Sequence, residues 1–387
     1  MNTTRRNFVK LTGTASAGLL LSGVSSCAAE DGEIQFAEPV DGDMLTDYDG
    51  TVKDGILYTT VKLAGTAGMK LKINGIKARF TDNLYQAEIP LKEYRNIIEV
   101  TARRSVSRKS IVVYRLKEYT NKYRFSLDDN ILFLKDIHVN YSKYASIFEN
   151  PYLGFLKQVN DTYGTKIHIN IYYQTEGFNL SQMTDKYREE WKRNSGWLRL
   201  SFHALQNDPD KPYINAGYEQ VKKDCEMVMK EIRRFAGDEL LGPVTTLHWG
   251  EAKVEGCRAL RDCGYTALTG YYNLKDGNPV VSYYLDKEKT DHVTERSIWY
   301  DNTEGIIHKK IHLVINSHPL GEIVPRLDEI RKDKRGSAFV DLMIHEQYFH
   351  ADYRAYQPDF REKVMTAMKW ATENGYKPSF LSDCIFK

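Results

Sequence analysis

The sequence predicts a multidomain protein, with an antiparallel β-sandwich towards the N-terminus and an α/β domain towards the C-terminus. Three observations support this prediction. The chain has 387 residues, about two and a half times the roughly 150 residues of a typical domain. Short runs of alternating apolar and polar residues fill residues 33–117, which is typical of antiparallel sheets. Over residues 120–387, strand-like runs alternate with helical periods, which is typical of parallel sheets.

Positive and negative charges are balanced and spread along the whole chain. There are 54 Lys plus Arg residues and 52 Asp plus Glu residues. A protein that binds nucleic acid through its phosphates carries a basic stripe or patch, and none is visible here. We therefore expect no nucleic-acid partner.

Residues 1–26 have the layout of an export signal. Arg5, Arg6 and Lys10 precede an apolar run that is too short to span a bilayer, and small residues lead to Cys27. The basic pair resembles that of twin-arginine signals, and Val24 to Cys27 resembles a lipobox, in which cleavage precedes a cysteine that becomes lipidated. We expect an exported protein at the bacterial cell envelope, periplasmic or surface-exposed, whose only membrane attachment is a lipid on Cys27. Residues 27–32 form an acidic tether.

The predicted sandwich spans residues 33–117. Its alternating runs include residues 55–63 and 97–102, and turn signals such as Asn74-Gly75 separate them. The arrangement resembles the immunoglobulin-like modules of secreted bacterial proteins. The first histidine of the chain is His138, so this domain lacks the usual residues of acid–base catalysis. We interpret it as a spacer or a carbohydrate-contacting module.

We interpret residues 120–387 as a (β/α) barrel. Strand-like and helical segments alternate over many repeats, and no Gly-x-Gly-x-x-Gly turn of the dinucleotide-binding type occurs. The stretch 271–310 breaks the rhythm and predicts a β-hairpin insertion. The predicted strands are 124–127, 167–173, 197–203, 244–248, 266–268, 312–316, 339–345 and 376–380. The predicted helices are 152–163, 218–235, 254–262, 323–332 and 359–373.

Polar side chains gather at the ends of four of these strands. Asp128 and Asp129 follow the first strand, and the third, fourth and seventh strands end in His203, His248 and His345. Parallel strands deliver their last residues to one rim of the sheet, so we expect these side chains to lie close together. Two adjacent carboxylates repel unless a cation stabilises them, and histidine from another strand suits the same cation. Helix capping by the two aspartates is the competing interpretation.

The residues of these strand ends resemble motifs of the NodB-homology polysaccharide deacetylases. Residues 125–130 look like the Thr-Phe-Asp-Asp-Gly motif, residues 203–207 look like a His-x-x-x-His metal motif, and residues 339–345 look like the closing Leu-x-His motif. The resemblance covers residues 124–387 and implies a distorted (β/α)7 barrel. It also implies an enzyme that hydrolyses acetamides or acetate esters on a glycan with the help of a divalent metal, expected to be zinc. By the same resemblance, Asp128 is the general base, Asp129, His203 and Asn207 hold the metal, and His345 is the general acid.

Two departures from the family pattern leave alternatives open. Asn207 stands where a second metal-binding histidine is expected, and the family's Arg-x-Pro motif is missing near residues 247–250. An amide oxygen is a weaker donor than imidazole. The candidates for an alternative ligand or for substrate binding are His248, Trp249, Asp208 and Glu346.

Two other functions fit the same sequence. One is a glycoside hydrolase or lyase, in which a rim acid such as Glu346 or Glu251 faces Asp128. The other is a surface protein that binds glycans without catalysis. Tyr213, Tyr348 and Tyr353 are candidate sugar platforms, and Tyr172 and Glu176 lie towards the rim. His168 is interpreted as a core residue, and Cys225, Cys257, Cys263 and Cys384 as buried thiols.

Overall fold

The computed structural model describes residues 34–102 and 108–386. The predicted export signal, Cys27 and the predicted tether lie outside the described residues, so these interpretations stay predictions. In the described part of the chain, no helix is long and apolar enough to cross a membrane.

The internal contacts divide the chain into two compact units. The boundary predicted near residues 117–120 stays a prediction. Among the described residues, the first unit contains 34–39, 60–89, 99–102 and 108–110, and the second contains 40–59, 90–98 and 111–386.

Within residues 34–102 and 108–115, the structure has ten short strands. Within the first unit, β1 pairs with β4, β7 with β8, and β5 with both β6 and β9, all antiparallel. Burial alternates along β4, where Leu57, Val61 and Leu63 are buried, as a sheet with one apolar face requires. The strands are β1 Gln35–Glu38, β2 Met44–Leu45, β3 Thr51–Lys53, β4 Ile56–Ala64, β5 Leu71–Ile73, β6 Ile76–Lys77, β7 Arg79–Thr81, β8 Leu84–Leu91, β9 Arg95–Ala102 and β10 Lys109–Arg115.

One pairing in the second unit corrects the prediction of a purely antiparallel arrangement. β2 runs parallel to β10, with Met44 opposite Tyr114. The long stretch of chain between the two strands allows a parallel pairing, which a tight hairpin does not. The immunoglobulin-like character of these strands stays a prediction.

The rest of the second unit mixes strands and helices as expected, and it contains three helices that the sequence analysis does not predict, Leu132–Val139, Arg188–Arg193 and Lys287–Arg296. Its strands are β11 Lys122–Asn130, β12 Ile167–Tyr172, β13 Gln174–Thr175, β14 Phe178–Asn179, β15 Leu198–Ala204, β16 Val244–Thr245, β17 Ala267–Gly270, β18 Asn273–Lys275, β19 Asn278–Val280, β20 Ile298–Asp301, β21 Ile306–Lys310, β22 Leu313–Val314, β23 Phe339–His345 and β24 Lys377–Pro378. Its α-helices are α1 Leu132–Val139, α2 Pro151–Tyr163, α3 Arg188–Arg193, α4 Tyr218–Phe235, α5 Val254–Asp262, α6 Lys287–Arg296, α7 Leu320–Lys332 and α8 Phe360–Glu373.

The parallel strands pair in two separate sheets. β15, β12, β11 and β23 are neighbours, and so are β16, β17 and β21. A single bridge from Leu200 to Leu241 leads from β15 towards β16. On the other side, residues 306–314 run from β21 into β22, which pairs with β23. The chain passes from the sheet of β17 to the sheet of β23 between two consecutive residues. Ile311 N–H donates to Gly270 O at 2.7 Å, and the N–H of the next residue, His312, donates to Asp341 O at 2.8 Å.

The stretch 271–310 is only partly the insertion that the sequence predicts. β18 and β19 form the expected hairpin, but β21 is one of the parallel strands, paired with β17. The prediction was wrong here because Lys309 and Lys310 end the apolar run and suggest an exposed segment. Lys309 is in fact buried.

Polar side chains line one face of the sheet formed by β15, β12, β11 and β23. Arg124 of β11 is 3.0 Å from Asp341 of β23, Asn170 contacts Asp128, and His168 is 2.6 Å from Ser201. The alternate residues of β11 and β12, among them Phe125, Leu127 and Ile169, belong to the hydrophobic core. The apolar stripe of α4 belongs to the same core, so this helix packs against the apolar face and the polar side chains are left on the other.

Candidate metal centre

Asp128 and Asp129 converge because the end of β11 is irregular. Consecutive residues of a regular strand point to opposite faces, so only one of the two carboxylates would face the interior. The pairing of β11 with β12 slips by one residue between Leu127 and Asn130, and Asp129 has a left-handed backbone with φ of 64°. Aspartate tolerates this conformation better than most residues do. Both aspartates are buried as a result.

A second irregularity turns His203 into the same space. Along β12, Ile171 and Tyr172 are consecutive, but their partners in β15 are Phe202 and Ala204. His203 is therefore the extra residue of a β-bulge. Bulges are common next to active sites because they redirect a side chain.

His248 comes from a short helical turn rather than from a strand. The turn follows β16, and its next residue, Trp249, has a left-handed backbone with φ of 67°. This turn brings the His248 ring to 5.0 Å from the His203 ring, centroid to centroid. Both histidines are almost fully buried.

Asp129, His203 and His248 form a cluster that could hold a metal ion. Asp129 Oδ1 lies 3.0 Å from His203 Nε2 and 3.1 Å from His248 Nδ1, and the two ring nitrogens are 3.2 Å apart. Zinc binds these donor types at about 2.0–2.2 Å, so two of its ligands in a tetrahedral site are about 3.4 Å apart. The observed triangle is close to that size. In both donor chemistry and spacing, the three side chains fit a zinc-like cation.

Backbone carbonyl groups orient both imidazoles for this role. His203 Nδ1 is 2.5 Å from Thr246 O, and His248 Nε2 is 3.0 Å from Asn207 O. A nitrogen that donates to a carbonyl keeps its proton, which leaves the other nitrogen of each ring directed at Asp129. Metal-binding histidines are typically held by a hydrogen bond of this kind.

Burial and neighbouring charges shift the pKa values of Asp128 and His203. Burial raises the pKa of Asp128, and the nearby His203 and the hydrogen bond from Asn170 Nδ2 to Asp128 Oδ1, at 2.6 Å, only partly oppose this rise. Burial alone would lower the pKa of His203. The hydrogen bond to Asp129 and the negative charges of Asp128 and Asp129 outweigh burial, so the pKa of His203 is raised overall.

His345 lies on the far side of the aspartates. Its Nε2 is 3.9 Å from Asp129 Oδ2, and its Nδ1 is 2.9 Å from Asn316 Oδ1. In the pairing of β11 with β23, His345 is the partner of Asp128. The structure thus brings together Asp128, Asp129, His203, His248 and His345.

Tyr172 completes the cluster, although the sequence analysis placed it only towards the rim. Its hydroxyl is 2.5 Å from Asp129 Oδ1 and 3.1 Å from His248 Nδ1. A signal for it was present in β12, where His168, Asn170 and Tyr172 alternate with isoleucines. Polar residues at alternate positions of a fully buried strand indicate a polar interior.

Three other predicted residues occupy different positions from those expected. His248 is the third residue of the cluster, while Asn207 is exposed beyond the end of β15 and offers its backbone carbonyl group to His248. The assignment of Asn207 as a ligand stays a prediction. Asp208 is exposed and accepts a hydrogen bond from Asn207 Nδ2 at 3.0 Å. Glu346 is a helix cap, because its carboxylate accepts hydrogen bonds from the N–H groups of residues 131–133 at the start of α1.

The remaining assignments concern single side chains. Trp249 is half-buried beside His248, and Tyr348 lies next to His345, with ring centroids 6.1 Å apart in each pair. Their sugar-binding roles, like that of Tyr353, stay predictions. Tyr213 is buried and donates to Asp224, so it does not face a substrate. The core interpretation of His168 is confirmed. The four cysteines among the described residues have free thiols, and three of them are buried as predicted, but Cys263 is partly exposed.

No family model and no curated protein matches this chain. Solved structures similar to it include 4-alpha-glucanotransferase from Thermococcus litoralis, which is 14% identical with a TM-score of 0.47 over 68% of this chain and 40% of that one. A CE4 family pseudoenzyme from Bacillus anthracis is 8% identical, with a TM-score of 0.36 over 72% of this chain and 74% of that one. The carbohydrate deacetylase Agd3 is 8% identical, with a TM-score of 0.38 over 82% and 62%. At these TM-scores and identities, the similarity does not assign a function.

Proposed function

We propose that this protein is a metal-dependent hydrolase that removes acetyl groups, as amides or esters, from a glycan at the cell envelope. One observation carries the proposal. Asp129, His203 and His248 form a cluster of metal-binding geometry, with Asp128 beside it and His345 on its far side. Metal-assisted hydrolysis of an acyl group uses these components: a cation, a base and an acid.

Asp128 is the proposed general base. Its burial raises its pKa, which makes the carboxylate a stronger base than one in water. Asn170 holds Oδ1 in place, at 2.6 Å from its amide nitrogen, so the carboxylate is oriented before substrate arrives. In this role Asp128 takes a proton from the attacking water.

His345 is the proposed general acid. The contact between its Nδ1 and Asn316 Oδ1 keeps one proton on Nδ1, so Nε2 is the atom that carries a proton to the leaving amine or alcohol. Its side chain is 17% exposed, while that of Asp129 is fully buried, so His345 stands between the metal cluster and solvent.

Asp129, His203 and His248 are the proposed metal ligands. A divalent cation at this cluster, with zinc the expected ion, would supply Lewis-acid stabilisation of the negative charge that develops on the acyl oxygen. The chain itself contributes the orientation of the ligands, through Thr246 O and Asn207 O.

The proposed location and substrate rest on the sequence. The twin-arginine-like signal and the lipobox-like residues before Cys27 support export and lipid anchoring, and the nearly neutral chain suits a neutral or amino-sugar glycan. The two rim acids named for a glycoside hydrolase, Glu346 and Glu251, bind other groups of the chain. Both oxygens of Glu346 accept backbone N–H groups, and both oxygens of Glu251 bind Lys211 Nζ at 2.8 and 3.0 Å.

Metal content and acetate release from acetylated glycans test the proposal together. We expect Asp129→Ala to lose both, and Asp128→Asn to keep stoichiometric metal while losing acetate release by at least about 100-fold. Asp161→Asn is the matched control, because this exposed aspartate pairs with Lys157 on the surface of α2 and should change neither quantity. Release of reducing sugar ends without acetate, or full metal content in Asp129→Ala, would refute the proposal.

A further inference from the structure

The hydroxyl group of Tyr172 is adjacent to the proposed metal ligands. It lies 2.5 Å from Asp129 Oδ1, 3.1 Å from His248 Nδ1 and 3.3 Å from Asn207 Oδ1. The Tyr172 ring centroid is 5.3 Å from that of His203 and 5.3 Å from that of His248. One side chain therefore contacts all three residues of the cluster.

Burial and strand position hold this side chain in place. Tyr172 is the last residue of β12 and is 2% exposed. It follows Asn170, the residue that orients Asp128, at the alternate position of the same strand. β12 therefore supplies an orienting partner to each of the two adjacent aspartates.

A phenol has one proton to donate, and the distances indicate where it goes. The contact with Asp129 Oδ1 is the shortest of the three, and a carboxylate is the strongest acceptor among them. Hydrogen bonds to ligating carboxylates fix their orientation and commonly change metal affinity by about 10- to 100-fold. The ring edge against His248, at an interplanar angle of 87°, also restricts rotation of that imidazole.

We propose that Tyr172 is a positioning residue of the metal centre: its hydroxyl donates to Asp129 Oδ1, its ring restrains His203 and His248, and together these contacts raise the affinity of the site for a divalent cation. The inference rests on the proposed function, because it takes the three residues as metal ligands. It adds a residue that acts on the cation through Asp129 and is not itself a ligand.

The test compares Tyr172→Phe with the wild type in the full mature chain, with zinc affinity measured by competition against a chromophoric chelator. The variant keeps the ring and loses only the hydroxyl, so we expect zinc affinity to fall by about 10- to 100-fold at unchanged stoichiometry. Tyr152→Phe is the matched control. Tyr152 is equally buried, and its hydroxyl donates to Asn130 Oδ1 at 2.9 Å. We expect this control to bind zinc as the wild type does.

A spectroscopic measurement separates positioning from a purely structural role. Loading with Co²⁺ should give a visible absorption spectrum that differs between the wild type and Tyr172→Phe, while Tyr152→Phe keeps the wild-type spectrum. Equal zinc affinity and equal Co²⁺ spectra in the wild type and Tyr172→Phe would overturn the inference. A phenolate-to-metal charge-transfer band in Cu²⁺-loaded wild type, absent from Tyr172→Phe, would make Tyr172 a ligand and would also overturn it.

Acetate release by the same preparations distinguishes the two proposals. If the wild type releases no acetate but loses zinc affinity on Tyr172→Phe substitution, the proposed function fails and this inference holds. If the wild type releases acetate and Tyr172→Phe binds zinc equally tightly, this inference fails alone. Absence of zinc binding in the wild type would overturn both.

Discussion

Glu346 Oε2 accepts a hydrogen bond from the backbone N–H of Ile131 at 2.7 Å. The same carboxylate accepts hydrogen bonds from Leu132 and Phe133, so it satisfies the first N–H groups of α1. Glu346 directly follows His345, and Ile131 lies two residues after Asp129. The cap therefore joins the two chain segments that carry the proposed acid and one proposed ligand.

Glu346→Gln should weaken the contacts between residue 346 and the N–H groups at the start of α1. An amide offers one acceptor oxygen in place of two and carries no charge, so at least one buried N–H group loses its partner. We expect the free energy of unfolding in urea to fall by about 1–3 kcal/mol. Glu329→Gln, at an exposed ion pair with Lys332, should change it by less than about 0.5 kcal/mol. Equal stability of Glu346→Gln and the wild type would contradict the capping role.

The buried pair of Arg124 and Asp341 should behave as one unit. Arg124→Met leaves the Asp341 carboxylate buried without its closest cation, at a cost of about 3–5 kcal/mol in the free energy of unfolding. We expect the double variant Arg124→Met with Asp341→Leu to recover most of that loss, because both charges are gone. Urea unfolding of the two single variants and the double variant measures the coupling. Simply additive losses would mean that the two residues stabilise the fold independently.

Lys309 should make stability rise with pH. Burial lowers its pKa from 10.5 to about 7, although Asp341 opposes the shift. The unfolded chain therefore binds one more proton than the folded chain between pH 7 and about 10, and the free energy of unfolding gains up to about 1.4 kcal/mol per pH unit. The destabilisation by Lys309 is complete below pH 7 and is relieved as pH rises.

Lys309→Met should remove this slope of the free energy of unfolding against pH, and it should stabilise the fold at neutral pH. Urea unfolding at several values between pH 7 and 9.5 measures it, and Lys157→Met, at an exposed lysine, should keep the wild-type slope. Identical slopes for Lys309→Met and the wild type would argue against a shifted lysine at this position.

Cys263 should react first among the four described cysteines. The neighbouring Cys225 thiol lowers the pKa of Cys263, and the Cys263 thiol raises that of Cys225, while burial raises the pKa of Cys257 and Cys384. Each pH unit between two pKa values changes the thiolate fraction about tenfold. Timed alkylation at pH 8 with peptide mapping checks the order, and Cys27 is resolved as a separate peptide. Faster labelling of Cys257 or Cys384 than of Cys263 would contradict it.

Much of the site could be predicted from residue patterns because parallel strands deliver their ends to one rim. Asp128, Asp129, His203 and His345 come from strands that the sequence predicts, and the structure brings them together. His248 was an alternative ligand only, since its position depends on a turn with a left-handed tryptophan outside any strand. Tyr172 was underestimated because a tyrosine at the end of an apolar strand usually indicates core packing.

The path of residues 306–314 was harder to predict for a physical reason. Hydrophobic patterning indicates which face of a strand is buried, but two consecutive lysines at the end of β21 suggest solvent. Their burial depends on partners from distant strands, such as Asp341 near Lys309. Contacts of this kind leave no local pattern in the sequence.

The slipped registers of β11 and β15 make the metal centre sensitive to insertions and deletions. Removing one of the two residues between Leu127 and Asn130 would delete one aspartate and return the other to regular alternation, and removing the residue between Phe202 and Ala204 would delete His203 itself. Exchange of one donor type for another would leave the remaining ligands where they are. The centre is therefore encoded in the number of residues along two strands as much as in their chemical identity.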